Sequence, residues 1–190
     1  MIVLGVDPGT LITGFGVVET DGGSPTVLFY DVVRNRSNRS MPLRLKAIYA
    51  GLCDVIQKYH PDEFAIESAF YGKNAQSALK IGHARGVSML AAVNYEVPTA
   101  EYSPREVKKA VVGNGAASKE QVQAMVKRLL GLTTTPKYFD ATDALAVALC
   151  HISRRKTKQS PQTSGAGKKK KRSDWAAFVH AHPERIISRS

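Results

Sequence analysis

The sequence predicts an α/β fold: a mixed five-stranded sheet that opens as an antiparallel meander and is flanked by helices. Three observations predict it. Apolar runs of strand length crowd the first 33 residues, separated by Pro- and Gly-bearing turns. Beyond them, segments of helical periodicity alternate with short apolar runs, the pattern of helices packed on a sheet. The chain of 190 residues, 43% of them hydrophobic, is long enough for one domain with a real core and a tail.

Ile2-Val3-Leu4-Gly5-Val6 is the first strand, and it stops at Asp7 in the tight segment Asp7-Pro8-Gly9-Thr10. Gly14-Phe15-Gly16-Val17-Val18 follows at once, so the pair reads as a hairpin. After the Gly22-Gly23 turn comes a third strand over Thr26 to Val33, then a loop carrying Arg34, Arg36 and Arg39. Pro42 to Tyr59 is helical, with Leu43, Ala47, Ala50 and Ile56 on its apolar face, and His60-Pro61-Asp62 stops it. Phe64-Ala65-Ile66 is a short strand ending in Glu67.

Ala75 to Asn94 forms a long helix. Its small residues Ala78, Gly82, Gly86 and Ser88 suit close packing on the sheet, with a dimer contact as the alternative. Val97 to Tyr102 is the fifth strand and Pro104 to Val112 a short helix. Gly113-Asn114-Gly115 is expected to be a mobile loop. Ser118, three residues before Gln121, fits a capping box for a helix over Lys119 to Leu130. The last core helix is expected over Tyr138 to Ile152. Residues 1–152 therefore form the folded domain, 153–173 a disordered basic linker, and 174–190 a short extension that Ser173-Asp174-Trp175 could cap as a helix.

The formal charge is +11, but it is unevenly spread: residues 153–173 hold nine Lys or Arg and no acid, while residues 1–152 hold 16 basic and 14 acidic side chains. The excess belongs to a solvated arm suited to non-specific phosphate contact, Lys168–Arg172 above all. Cys53 and Cys150 are far apart and sit in apolar helical patterns, as small buried hydrophobes in a reducing cytosol would. The five His residues show no ligand spacing in the core. No 18-residue apolar stretch and no secretion leader are present, so no membrane partner and a cytoplasmic location are expected.

Four acids stand out. Asp7 and Glu67 end strands; Asp140 and Asp143, three apart, share one face of the last helix. Taken singly, the helical pair has a structural explanation, because negative charge suits a helix N-terminus. Taken together, four acids around a buried sheet repel one another unless cations neutralise them. Hard oxygen ligands without a Cys or His pattern select Mg²⁺ or Mn²⁺ over zinc. Two such ions would clamp the attacking and leaving oxygens of a phosphodiester, which points to a two-metal nuclease.

The segments Gly5-Val6-Asp7-Pro8-Gly9-Thr10, Phe64 to Phe70, Lys73 to Lys80, Ala84-Arg85-Gly86, Val111 to Gly115 and Asp140 to Ala146 resemble, in this order, the RuvC Holliday junction resolvases. The resemblance runs from residue 2 to about 152 and finds no counterpart for 153–190. It implies a ribonuclease H-like fold, a homodimer, and an acidic tetrad of Asp7, Glu67, Asp140 and Asp143 binding two Mg²⁺ per subunit, with Mn²⁺ able to substitute. It further implies paired nicks in four-way DNA junctions that leave 5′-phosphate and 3′-hydroxyl ends during recombination and repair, a short preferred cleavage sequence, and cooperation with a branch-migration complex of the RuvA and RuvB type.

Phe70 and Tyr71 follow Glu67, where an aromatic ring could stack on an unpaired base; the resemblance assigns that role to Phe70. It also matches Lys108 and Lys119 to functional lysines, for phosphate contact or charge stabilisation near the metals. Arg105, Lys108 and Lys109 share one side of the short helix, and Lys73, Lys80 and Arg85 are further candidates for DNA contact. Two rival classes remain at this level. A phosphotransferase of the actin and sugar-kinase type also places Asp-x-Gly-Thr after its first strand, but needs a second phosphate loop and about twice the length. A non-catalytic junction binder would gain nothing from four acids.

Overall fold

A computed structural model describes residues 1–68 and 75–159. Among these, five strands form one sheet in the order β3-β2-β1-β4-β5. β1 (Ile2–Asp7), β2 (Ile12–Glu19) and β3 (Thr26–Arg34) make the antiparallel meander, while β4 (Glu63–Glu67) runs parallel to β1 and β5 (Thr99–Tyr102) parallel to β4.

The helices divide between the two faces. α1 (Met41–Tyr59) and α2 (Ala75–Asn94) cover one, where Leu4, Val6, Val17, Phe64 and Ile66 pack with Ile48, Leu52 and Ala91. α3 (Pro104–Val112), α4 (Lys119–Leu129) and α5 (Phe139–Gln159) belong to the other, where Val3, Val18 and Ala65 meet Val107, Val126, Leu145 and Ala148. β1, β2 and β4 thus feed alternate residues to two apolar layers, and two-sided burial explains their near-continuous apolar runs.

The elements follow the expected order, and the boundaries differ for local reasons. α1 begins with Ser40 as N-cap and Pro42 in its first turn, and ends with His60 in the left-handed region at φ 46°, its N–H on the Ile56 carbonyl 2.9 Å away. β5 starts at Thr99, two residues later than expected. Val97 donates its N–H back to the Ala92 carbonyl at 3.0 Å, closing the end of α2 through Glu96 at φ 57°.

α3 carries a capping box that the sequence reading passed over: Glu106 N–H donates to Ser103 Oγ at 3.3 Å, and Ser103 N–H to Glu106 Oε2 at 2.9 Å. The box at Ser118 and Gln121 has the same form. Between these helices the glycine loop is tied down. Asn114 Oδ1 accepts the Ala116 N–H at 3.0 Å, and a Cβ on Gly115 would fall 2.6 Å from Arg105 Cγ.

α5 runs to Gln159, seven residues past the expected end at Ile152. Its extension is held by ion pairs from Arg154 to Glu106 (2.7 Å) and from Arg155 to Glu63, so the start of the expected disordered linker is helical. Gly82 and Gly86 do not pack on the sheet. Neither has a neighbour within 4 Å of its Cβ position, and the buried side of α2 is Ala84, Ser88, Ala91 and Ala92. Cys53 and Cys150 are both free, and burial pushes the Cys150 thiol up to about 11. Among the described residues no helix is long and apolar enough to cross a membrane.

Candidate active site

β1 and β4 are parallel neighbours with Val6 beside Ile66, so Asp7 and Glu67 end adjacent strands at the same edge of the sheet. Alternation aims both at the α5 side, the side of Val3 and Ala65. That side of β1 and β2 is floored by glycine. A Cβ on Gly5 would lie 2.2 Å from the Ala144 carbonyl oxygen, on Gly14 1.9 Å from that of Asp140, and on Gly16 2.6 Å from a Leu145 methyl. α5 therefore rests on bare backbone, and its first turn brings Asp140 and Asp143 over the strand ends. Such a close approach is one reason a strand accepts glycine.

The four acids share one field. Burial raises the Asp7 carboxyl well above its ordinary value of 3.8, and Glu67, Asp143 and Asp140 push it further. Glu67 is raised from 4.5 by burial and by Asp143, although a hydrogen bond with the Asp7 side chain opposes this. Asp143, 17% exposed, is also raised, again by burial first.

The answering charges are two lysines. Lys119, the first residue of α4, places Nζ 3.0 Å from Asp143 Oδ2; its burial favours the neutral amine, but Asp143, Asp7 and Asp140 outweigh this and raise it. Lys108 on α3 lies close enough to stabilise the charged forms of Glu67 and Asp143, and both lysines line a cleft of about 220 Å³ with those two acids. Four carboxylates against two ammonium groups leave the cluster short of positive charge.

That deficit fits divalent cations. The donor set is carboxylate oxygen from three elements, the hard set suited to Mg²⁺ or Mn²⁺. Among the described residues no three of these acids are drawn into a ready-made cation cage. The Lys119 ammonium stands against Asp143 instead, so Lys119 and a cation would share this carboxylate.

A second cleft, of about 390 Å³, opens beside Asp140 between the Gly9–Ile12 turn and the start of α2, with Lys80 on its wall. Arg105 is exposed on α3. Arg85 is not at the acid cluster's disposal: it is ion-paired with Glu101 of β5. Lys109, expected on one side with Lys108, instead lines a separate groove with Glu106 and Arg154. Phe70, Tyr71 and Lys73 lie outside the described residues.

Two supports of the site escaped the sequence reading. Thr13 Oγ1 donates to the Gly9 carbonyl at 2.5 Å, and Asn35 Nδ2 donates to the Thr10 carbonyl at 3.2 Å, bracing the turn after Asp7. A buried Thr inside an apolar run was the available signal for the first; the second spans 25 residues and leaves no local trace.

A family model described as "Crossover junction endodeoxyribonuclease RuvC" matches residues 3–151. A curated relative of that name from Desulforamulus reducens is 51% identical over 151 residues, covering 80% of this chain and 93% of its own. Another, from Salinibacter ruber, is 44% identical over 186 residues, 98% of this chain and 99% of its own. The C-terminal region, expected to lack a counterpart, therefore has one there. The solved structure "T. thermophilus RuvC in complex with Holliday junction substrate" superposes with a TM-score of 0.79 at 34% identity, covering 83% of this chain and 96% of that one. The architecture is accordingly the ribonuclease H-like resolvase fold, and the chain belongs to the RuvC family of crossover junction endodeoxyribonucleases.

Proposed function

We propose that this endonuclease resolves four-way DNA junctions with Asp7, Glu67, Asp140 and Asp143 as its metal-binding tetrad, taking two Mg²⁺ per subunit, or Mn²⁺ in their place. One observation carries the assignment: acids from two strand ends and one helix turn converge on a single sheet edge and raise one another's affinity for positive charge. Two divalent ions, when bound, supply the Lewis acidity that activates water and neutralises the leaving oxygen. The chain's own part is to hold the four carboxylates on a glycine-floored frame and to keep Lys108 and Lys119 beside the scissile phosphate. Phe70, three residues past Glu67, stacks on a base freed at the branch point.

The enzyme works as a homodimer, which matches the two-fold character of paired nicks. Leu79, Gly82, Gly86, Leu90 and Val93 recur at helical spacing on α2, with the three large members 62%, 52% and 58% exposed and the glycines open for close approach. A branch-migration complex of the RuvA and RuvB type delivers the junction, the basic segment with Lys168–Arg172 adds non-specific phosphate contacts, and a DNA substrate places the enzyme in the cytoplasm.

Nicking of a synthetic four-way junction, with linear duplex as control, tests the reading. Nicks are expected with Mg²⁺ and absent with EDTA, and Asp7→Asn is expected to keep junction binding and lose nicking. Wild-type rates from Asp7→Asn, or equal cutting of linear duplex, would overturn it.

A further inference from the structure

The edge of the sheet that holds the acids continues past them on the β3 side. β3 ends at Arg34, paired with Ile12, next to the turn that follows Asp7. The loop after it is built and not slack. Asn35 donates its N–H to the Leu11 carbonyl at 2.8 Å and its side chain to the Thr10 carbonyl at 3.2 Å. Arg44 folds inward, with Nε on the Arg39 carbonyl at 2.8 Å and a second bond to the Ser37 carbonyl. Arg34, Arg36 and Arg39 are left exposed on this frame.

They are joined from across the chain. Arg34 Nη1 donates to the Tyr138 hydroxyl at 2.8 Å, with its guanidinium carbon 5.2 Å from the ring centroid, and Lys137 Nζ lies 5.6 Å from the same ring. Tyr138 sits two residues before Asp140. Among the described residues none of these four cations is ion-paired with a carboxylate. Four exposed charges along one rim, two of them (Arg34 and Lys137) set against the Tyr138 ring, suit successive phosphates of a nucleic-acid strand.

We propose that Arg34 and Lys137, set against Tyr138, and Arg36 and Arg39 on the braced loop after β3 form a phosphate-binding rim that holds the substrate DNA strand on the β3 flank of the acid cluster. A strand lying across the cluster leaves it on two flanks. Lys108 and Lys119 stand on the α3–α4 flank, and this rim serves the other. The inference rests on the junction-cutting reading above and extends it to residues that reading does not use. It assigns them positioning, with no part in bond breaking.

Equilibrium binding of a fluorescent four-way junction in EDTA, across a salt series, is the test. Each phosphate contact contributes about 0.9 to the slope of log affinity against log salt. The triple variant R36A/R39A/K137A is expected to flatten that slope by about 2–3 and to weaken binding about tenfold near physiological salt, with an unchanged melting temperature. R36K/R39K should keep the wild-type slope, and Arg128→Ala at the far end of α4 should leave it unmoved. An unchanged slope in the triple variant, or a loss that lysines do not restore, would overturn the rim. Failure of the wild-type chain itself to prefer the junction over linear duplex would instead overturn the parent reading.

Discussion

Glu63 and Glu67 occupy the two ends of β4 and, four residues apart, face the same side of the sheet under the same helix, yet their surroundings are opposite. Glu63 is matched: Arg155 and His151 of α5 both contact it, and the His151 ring continues through Nδ1 to the Tyr102 hydroxyl at 2.9 Å. Tyr102 in turn lies beneath Arg154, which holds Glu106, the capping residue of α3. Every charge there has an answer, and the product is a clamp joining sheet, α3 and the end of α5. Glu67 is unmatched: its neighbours are Asp7 and Asp143, with Lys108 and Lys119 too few to balance them. A buried carboxylate answered by the chain's own cations is architecture, whereas a set that outnumbers the chain's own cations is suited to the proposed metal site. The contrast on one strand makes the two roles separable by experiment.

The largest expected effect is on nicking at the unmatched end. Glu67→Gln should lower the nicking rate on the order of a thousandfold, since the proposed metal site would lose one of its ligands, while Glu63→Gln should retain nicking. Comparable losses from both would erase the distinction. Next comes the frame. Gly14→Ala must lift the start of α5 away from β2, and an ångström of misplacement at a reacting centre is worth about a hundredfold in rate. A Gly14→Ala enzyme with full activity would show that the glycine floor does not position Asp140 and Asp143.

Smaller effects fall on stability. Glu63→Gln removes the acid from a partly buried pair and should cost about 1–3 kcal/mol, read as a lower melting temperature or denaturant midpoint. The sign reverses at the other end. Because the folded state raises Asp7, Glu67 and Asp143 above their ordinary 3.8, 4.5 and 3.8, it binds protons that the unfolded chain has already released. Stability of the metal-free protein should therefore fall as pH climbs from those ordinary values through the raised ones. Asp7→Asn should lessen that fall and stabilise the metal-free protein at neutral pH by about 1 kcal/mol, or roughly 2–4 °C. Melting curves in EDTA across pH would show it, and a variant no more stable than wild type at neutral pH would count against crowded charge. If these acids take up metal as proposed, they must be ionised to do so, and nicking should decline on acidification at a pH above the usual carboxylate range.

The element order was legible because its determinants are local. Apolar runs end at Asp7 and Glu67, Ser118 and Gln121 spell a cap, and Pro104 and Gly113 bracket α3. The four acids were legible as a charge conflict, and the structure brings them into one field at the ends of β1 and β4. What stayed hidden depends on partners distant in sequence. Nothing in Arg154-Arg155 alone says that α5 continues, because the reason lies at Glu106 and Glu63. Gly82 and Gly86 suggested sheet packing by composition, but helical phase gave that place to Ala84 and Ser88. Arg34 and Tyr138 meet across 104 residues.

The bare-backbone seat of α5 has a dynamic consequence. With Ala144, Leu145 and Ala148 pressed against Gly5 and Gly16, this part of the α5 seat has few intervening side chains that could loosen while the strands stay intact. The amides in the middle of α5 should then exchange with deuterium only through global opening, in step with those of β1. The carboxylates borne by this helix would share the core's lifetime, and thermal inactivation would track unfolding of the whole domain without a prior local melting step.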